Sequence, residues 1–168
     1  MIDEIDLQIL NILQANARTP NAEIARQVGM APSAVLERIR KVELRGVIQG
    51  YEARINPEAL GLNLLAYVFV RSEEKVGDGS TGELLAQIPE VQEVHHIAGE
   101  DCYLTKVRLP DAKSLGRLLR QSFGAIESVR STRSTIVLET LRETTRLPIA
   151  GALPIAASLE LEEVSLEQ

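Results

Sequence analysis

Apolar residues recur at helical spacing through the first part of the chain and at strand spacing after Gly61, so the sequence divides where the period changes. Ile5, Ile9, Ile12 and Leu13 stand at i, i+4, i+7 and i+8 behind Asp3, a good cap, and predict a helix over residues 3 to 16. A narrower stripe of Ile24, Ala25 and Val28 follows Thr19, placed as an N-cap hydroxyl, and Pro20, placed at the first helical position. Gly29 stops that helix, because a residue without Cβ can take the left-handed conformation that reverses the chain sharply. Pro32 opens a third helix with Val35, Ile39 and Val42 on one face and an end at Arg45 and Gly46. Two short helices around a glycine turn, with a third ahead to close the core, make a helix-turn-helix.

The helix opened by Pro32 buries one side only. Ser33, Glu37, Arg40 and Lys41 fall opposite the apolar stripe and Arg38 flanks it, so Ser33, Ala34, Glu37, Arg38, Arg40 and Lys41 are the candidate DNA contacts. Arg pairs bidentately with guanine or grips phosphate, Glu accepts from cytosine, and Lys neutralises phosphate. An ordinary solvated helix carries the same residue types, and it is the preceding helix that favours DNA. After Gly46, VIQGYEARI reads as a short strand or wing around Gly50, and Arg54 adds a phosphate contact. Asn56, Pro57, Glu58 and Gly61 predict a single helical turn acting as a hinge.

From Leu62 onward strand and helix alternate. LLAYVFV (64 to 70) precedes a helix containing LLAQ (84 to 87), followed by Val91 and Val94; CYLTKVRL (102 to 109) precedes LLRQ (118 to 121), followed by Ile126 and Val129. The two halves form a weak internal repeat, and the order strand, helix, strand, strand, helix, strand is the ferredoxin-like split βαβ. With both helices on one face, the other face keeps part of LLAYVFV and STIVLETL exposed in a single copy, which favours a dimer. The expected organisation is an α+β chain: a winged helix-turn-helix over 1–54, a hinge over 55–62, a ferredoxin-like domain over 63–147, and a tail over 148–168. The tail's PIAGALPIA run, broken by Pro and Gly, is assigned no function.

A chain of 168 residues with 45% hydrophobic content can bury two small cores. One cysteine cannot form an intrachain disulfide, no long apolar run is present, and Asp3, Glu4 and Asp6 stand where a signal peptide would be basic. A cytoplasmic location is expected. The net charge of −6 looks wrong for a nucleic-acid binder until it is divided. Residues 1 to 54 hold seven acidic and seven basic side chains, residues 55 to 147 thirteen and eleven, and the remainder four and none. A neutral head binds DNA modestly by itself, so several heads on one DNA are expected to supply the strength.

The runs IDEIDLQILNILQANART and AEIARQVGMAPSAVLERIRKVELRGVIQGYEARINPEALG resemble the Lrp/AsnC family of prokaryotic transcription regulators. The family's Asp-x-x-Asp-x-x-Ile-Leu opening is met by Asp3, Asp6, Ile9 and Leu10, and its recognition-helix arginine by Arg38; where it places Ser before that helix, this chain has Ala31. The resemblance runs to about residue 147 and implies a ferredoxin-like effector and oligomerisation domain. It also implies a sheet-to-sheet dimer and octamers with amino-acid sites at their contacts. The family's Gly-x-x-Asp loop matches Ala98, Gly99, Glu100, Asp101 and Cys102, with Cys102 at the usual Asp position and the acid moved one place to Asp101. His95 and Thr135 match positions near that pocket.

The same loop has a direct physical reading: amides around Gly99 take a carboxylate while Glu100 and Asp101 hold an ammonium group, though a solvated acidic hairpin has the same composition. His95, His96 and Cys102 invite a metal, but adjacent strand residues face opposite sides and cannot chelate one ion together, so no metal or cofactor is expected. Two other readings stand beside the amino-acid-responsive regulator. One is a DNA-organising protein without an effector. The other is an enzyme like the sirohaem decarboxylases, which share this architecture but follow Gly-Val-Ile with Arg-Arg-Phe-Gly, where this chain has Gln49, Gly50 and Tyr51.

Overall fold

Asp3 and Asp6 open the first helix through a reciprocal cap, Asp3 accepting from the Asp6 amide at 2.9 Å and Asp6 from the Asp3 amide at 3.2 Å. That helix, α1 (Glu4–Ala15), is followed by α2 (Asn21–Val28) and α3 (Pro32–Leu44). Ile9, Leu13, Ile24, Ala25, Val35 and Ile39 meet in one core, as their periodicity requires. Gly29 ends α2 at φ 69°, the left-handed conformation that the tight α2–α3 turn needs. Thr19 does not cap α2. Its hydroxyl donates to the Asn16 carbonyl at 2.8 Å and closes the α1–α2 connection instead.

The computed structural model describes residues 2–75 and 78–149, which divide into two compact units. The first contains the three helices and the described residues from Thr144; the second is Arg54–Glu143. The closing segment is fixed to α1 by Gln14, whose Oε1 accepts from the Leu147 amide at 2.7 Å while its Nε2 donates to the Leu147 carbonyl at 3.3 Å. The PIAGALPIA run and the acidic tail after it lie, from Ala150, outside the described residues.

The wing expected at 47–55 is not a strand. The amides of Val47 and Ile48 bond back to the Val42 carbonyl, Ile48 packs against the helical core, and the Tyr51 hydroxyl donates to Glu43 at 2.8 Å. Bonds that a ladder would use are thus committed to the end of α3. The single helical turn is as expected: a 3-10 turn, Glu58–Leu60, is closed by Gly61, and the Asn56 side chain accepts from the Glu58 amide.

In the second unit β1 (Leu64–Ser72), α4 (Ser80–Ala86), β2 (Val91–His96), β3 (Tyr103–Leu109), α5 (Ala112–Gln121) and β4 (Val129–Ile136) form an antiparallel sheet of order β2-β3-β1-β4. This is the ferredoxin-like arrangement predicted by the repeat. Ala66, Val68, Val70, Tyr103, Val107 and Leu109 point to one face, where Leu85 of α4 and Leu115 and Leu118 of α5 cover them. Tyr67, Phe69, Leu104, Lys106 and Arg133 alternate onto the other face. The STIVLETL run is only half strand. After Val137, whose amide donates to Leu65, the chain leaves the ladder so that Glu143 can pair with Lys106 and Arg108 on β3, and Leu138 and Leu141 stand 98% and 88% exposed.

Candidate nucleic-acid interface and effector loop

Helix α3 presents Ser33, Glu37, Arg40 and Lys41 to solvent, while Ala34 and Arg38 are half-buried. Arg40 pairs with Glu37 one turn back at 3.1 Å. Lys41 has no ion pair or hydrogen bond among the described residues, which leaves its ammonium open to an anion. Arg38 is differently placed. Its Nη1 lies 2.7 Å from both Asp3 and Asp6, bridging α3 to the start of α1. The Asp3 carboxyl is held below its ordinary value first by the Asp6 amide and then by Arg38, and the guanidinium is raised in turn by Asp3 and Asp6. A shallow cleft runs between these groups, bordered by Asp3, Asp6, Glu37, Arg38, Arg40, Lys41 and Leu44. Arg54 lies in the second unit, with its guanidinium donating to the Glu143 carbonyl at 2.7 Å.

The β2–β3 turn carries the other candidate site. Gly99 takes φ 131°, and Ala98, Gly99 and Glu100 are exposed. Asp101 accepts from Arg133 of β4 at 2.8 Å, and that guanidinium lies 4.0 Å above the Phe69 ring. Cys102 turns elsewhere, its thiol donating to the Ser72 carbonyl at 3.4 Å. His95 is exposed beside Glu93 and His96 stacks on Tyr103, so the two imidazoles occupy opposite faces of the sheet. Thr135 shares a face with Arg133, opposite Tyr67.

The structure therefore joins the turn to β4 through Asp101 and Arg133 and sets Thr135 beside that link. It does not bring His95 to them: His95, Leu104, Phe69 and Arg133 form one cross-strand row, so His95 and Arg133 lie three strand spacings apart, about 14 Å.

Sequence reasoning missed three groups here. Arg133 could have been found by alternation, since it precedes Thr135 by two. Lys106, on the open face yet only 10% exposed, gathers Glu93 at 3.0 Å and Glu143. Burial disfavours its charge, but the two carboxylates more than restore it and raise it above its ordinary value. Glu74 accepts from the Tyr103 hydroxyl and from Thr81 at 2.8 Å, tying β1 to β3 and α4; burial and that carboxylate push Tyr103 up to about 12. No spacing rule predicts the last two groups, because Lys106 lies 13 residues from Glu93 and Tyr103 lies 29 from Glu74.

A three-helix reader followed by a ferredoxin-like domain, with a loop tied across its sheet, defines a regulator built from a DNA-binding head and a ligand-binding body. Residues 2–43 match the AsnC-type helix-turn-helix domain and residues 65–147 the Lrp/AsnC ligand binding domain. The chain belongs to the Lrp/AsnC family and is a DNA-binding transcriptional regulator. It is 35% identical over 150 residues to the leucine-responsive regulatory protein of Escherichia coli K12, covering 88% of this chain and 92% of that one. Among solved structures, a Neisseria meningitidis transcriptional regulator in complex with L-Met superposes with a TM-score of 0.83 at 28% identity, covering 89% of this chain and 98% of that one. The feast or famine regulatory protein from M. tuberculosis complexed with L-methionine gives 0.81 at 38% identity, covering 89% and 99%. No helix among the described residues is long and apolar enough to cross a membrane.

Proposed function

We propose that this regulator works by binding rather than catalysis, in the cytoplasm, and that an amino acid shifts its assembly or its DNA affinity. The observation that carries this reading is the pairing of an outward α3 face, open at Lys41, with a β2–β3 turn tied to β4 through Asp101 and Arg133. Ser33, Ala34, Glu37, Arg40 and Lys41 face the operator, Arg54 adds a phosphate contact, and Arg38 acts chiefly by fixing α3 against α1. Ala98, Gly99, Glu100, Asp101 and Cys102 frame the effector with Thr135 beside them, and His95 is supplied across contacts between copies, since one chain holds it apart from them. The L-methionine complexes of two relatives support an amino acid as the effector class.

Assembly follows from the open sheet face. Tyr67, Phe69 and Leu104 are only half-buried there, and Leu138 and Leu141 beyond β4 are exposed, so a second copy would cover apolar surface. Dimers then gather into octamers, which place several neutral heads on one DNA. An amino acid changes DNA binding only by its differential affinity for two such states. The test is binding of the purified protein to its own upstream DNA over a salt series, with and without a panel of amino acids, while assembly size is read. Tight binding shifted by one amino acid supports the reading; binding unmoved by any of them makes the protein an effector-independent DNA organiser.

A further inference from the structure

We infer that α5 of the ferredoxin-like domain is a second DNA-contacting surface, a rail of Lys113, Arg117 and Arg120 that grips the phosphate backbone without reading sequence. The three cations stand at i, i+4 and i+7 and occupy about 60° of the helix circumference. Leu115 and Leu118 point into the core on the opposite side. No residue of α5 is acidic, and all three cations are exposed and without an ion pair among the described residues. Asp111, the nearest acid in sequence, caps the helix through the Ser114 amide at 2.7 Å and is also held low by Arg117 and Lys113, so one carboxylate stands against three cations.

Two further observations point to DNA as the occupant. The head holds seven acidic and seven basic side chains, and three of its cations are already matched: Arg26 by Glu23, Arg38 by Asp3 and Asp6, Arg40 by Glu37. A DNA-binding protein so neutral at its reading head gains most from phosphate contacts made elsewhere, because the phosphate term is electrostatic and sequence-independent. Second, Gly116 borders the stripe inside a helix, where glycine is the poorest former after proline. A Cβ there would meet the Arg120 guanidinium at 3.3 Å, so the missing side chain leaves Arg120 room to lie along the helix and a backbone room to approach it. From Lys113 to Arg120 the helix rises about 10 Å, enough for the row of cations to follow a DNA strand past more than one phosphate.

The test uses the whole protein and random-sequence duplexes, short and long, with affinity measured across a salt series. In the triple variant Lys113→Gln, Arg117→Gln, Arg120→Gln, the slope of log affinity against log salt on long duplex should fall by about 2 to 3, at about 0.9 for each phosphate no longer neutralised. The charge-keeping variant Lys113→Arg, Arg117→Lys, Arg120→Lys should retain the wild-type slope, with thermal melts confirming that both fold. An unchanged slope in the neutralised variant overturns the rail while leaving the head's DNA binding intact. A changed assembly size with an unchanged slope also overturns it, and assigns α5 to contact between copies, where the exposed Glu83 and Glu90 of another subunit would be the complementary charges. Failure of the wild-type protein to bind any duplex would instead remove the DNA-binding reading of α3 along with the rail.

Discussion

Arg38 on α3 lies 2.7 Å from the carboxylate of Asp6 on α1, and that carboxylate is 9% exposed. The same Asp6 closes the α1 cap by accepting from the Asp3 amide, so one buried carboxylate both starts the first helix and anchors the recognition helix. Recognition depends on the angle at which a helix enters the groove. The Asp3, Asp6 and Arg38 bridge fixes that helix against a neighbour before any DNA arrives.

Arg38→Ala should therefore act first on the head's stability. Loss of a partly exposed bridge with a largely buried partner costs about 1 kcal/mol, or roughly 5 °C in the melt of a small unit. DNA affinity should fall while its salt slope stays at the wild-type value. Arg38→Lys should recover only part of the stability, because the shorter lysine must place its ammonium where one guanidinium nitrogen, Nη1, meets both carboxylates at 2.7 Å. A lowered salt slope with an unchanged melt would make Arg38 a phosphate contact instead.

Lys41→Gln should show the opposite pattern. Its ammonium has no partner among the described residues, so the melt should not move. The salt slope should fall by about 0.9, with affinity weakened alike on specific and random DNA.

The head was legible because its chemistry is local: caps, the Gly29 turn and the i, i+4, i+7 stripes each lie within a few residues. The ferredoxin-like order was legible from alternation and the LLAQ and LLRQ repeat. The wing failed because a strand is a property of two segments, and the amides of Val47 and Ile48 found the Val42 carbonyl instead. STIVLETL failed halfway for a similar reason, since the pull of Glu143 toward Lys106 and Arg108 is set by a distant strand. Arg38 was legible as an arginine beside the apolar stripe, but its bond to Asp6, 32 residues away, was not. In the β2–β3 turn the candidate residues could be named from the sequence, whereas the Asp101 link to Arg133 required the sheet register.

Gly99→Trp probes that loop. At φ 131° an L side chain is strained whatever space surrounds it, and the open surroundings of Gly99 mean the strain is confined to the turn. The variant should bind DNA without effector as the wild type does, while its response to the effective amino acid disappears. A response of wild-type size would remove the turn from the effector site.

Gly82→Ala probes the packing behind it. The added Cβ would come within 2.8 Å of Cε1 of Tyr103, a ring that is buried and fixed through its hydroxyl to Glu74. The helix-forming gain of alanine, up to about 1 kcal/mol, is outweighed by overpacking of about 1–3 kcal/mol, so the melt should fall. Displacing the ring should also release the phenol, and the Tyr103 titration should move down from about 12 toward its ordinary value of 10.0. A rise in the melt with an unchanged titration would mean that the ring accommodates the methyl group.

The Lys106 cluster sets the pH range of the second unit. Glu93 is held below its ordinary 4.5 chiefly by Lys106, and Glu143 likewise, so their contribution is fully present above pH 4.5. It is lost as pH falls through their lowered folded values. Lys106 is raised above 10.5 once the two carboxylates outweigh its burial, so its contribution holds below 10.5 and is lost as pH rises through the folded value. Stability should thus be level across neutral pH and decline at both ends. Lys106→Met keeps the apolar stem and removes the charge, letting Glu93 and Glu143 titrate nearer 4.5. Its melting temperature should fall less steeply than the wild type's below pH 4.5, the remaining acid sensitivity coming from Glu74, whose burial is outweighed by bonds from Tyr103 and Thr81, and from Asp78 and Asp111, held low by the Ser80 and Ser114 amides. Parallel acid limbs in the two proteins would show that the Lys106 cluster does not govern acid unfolding.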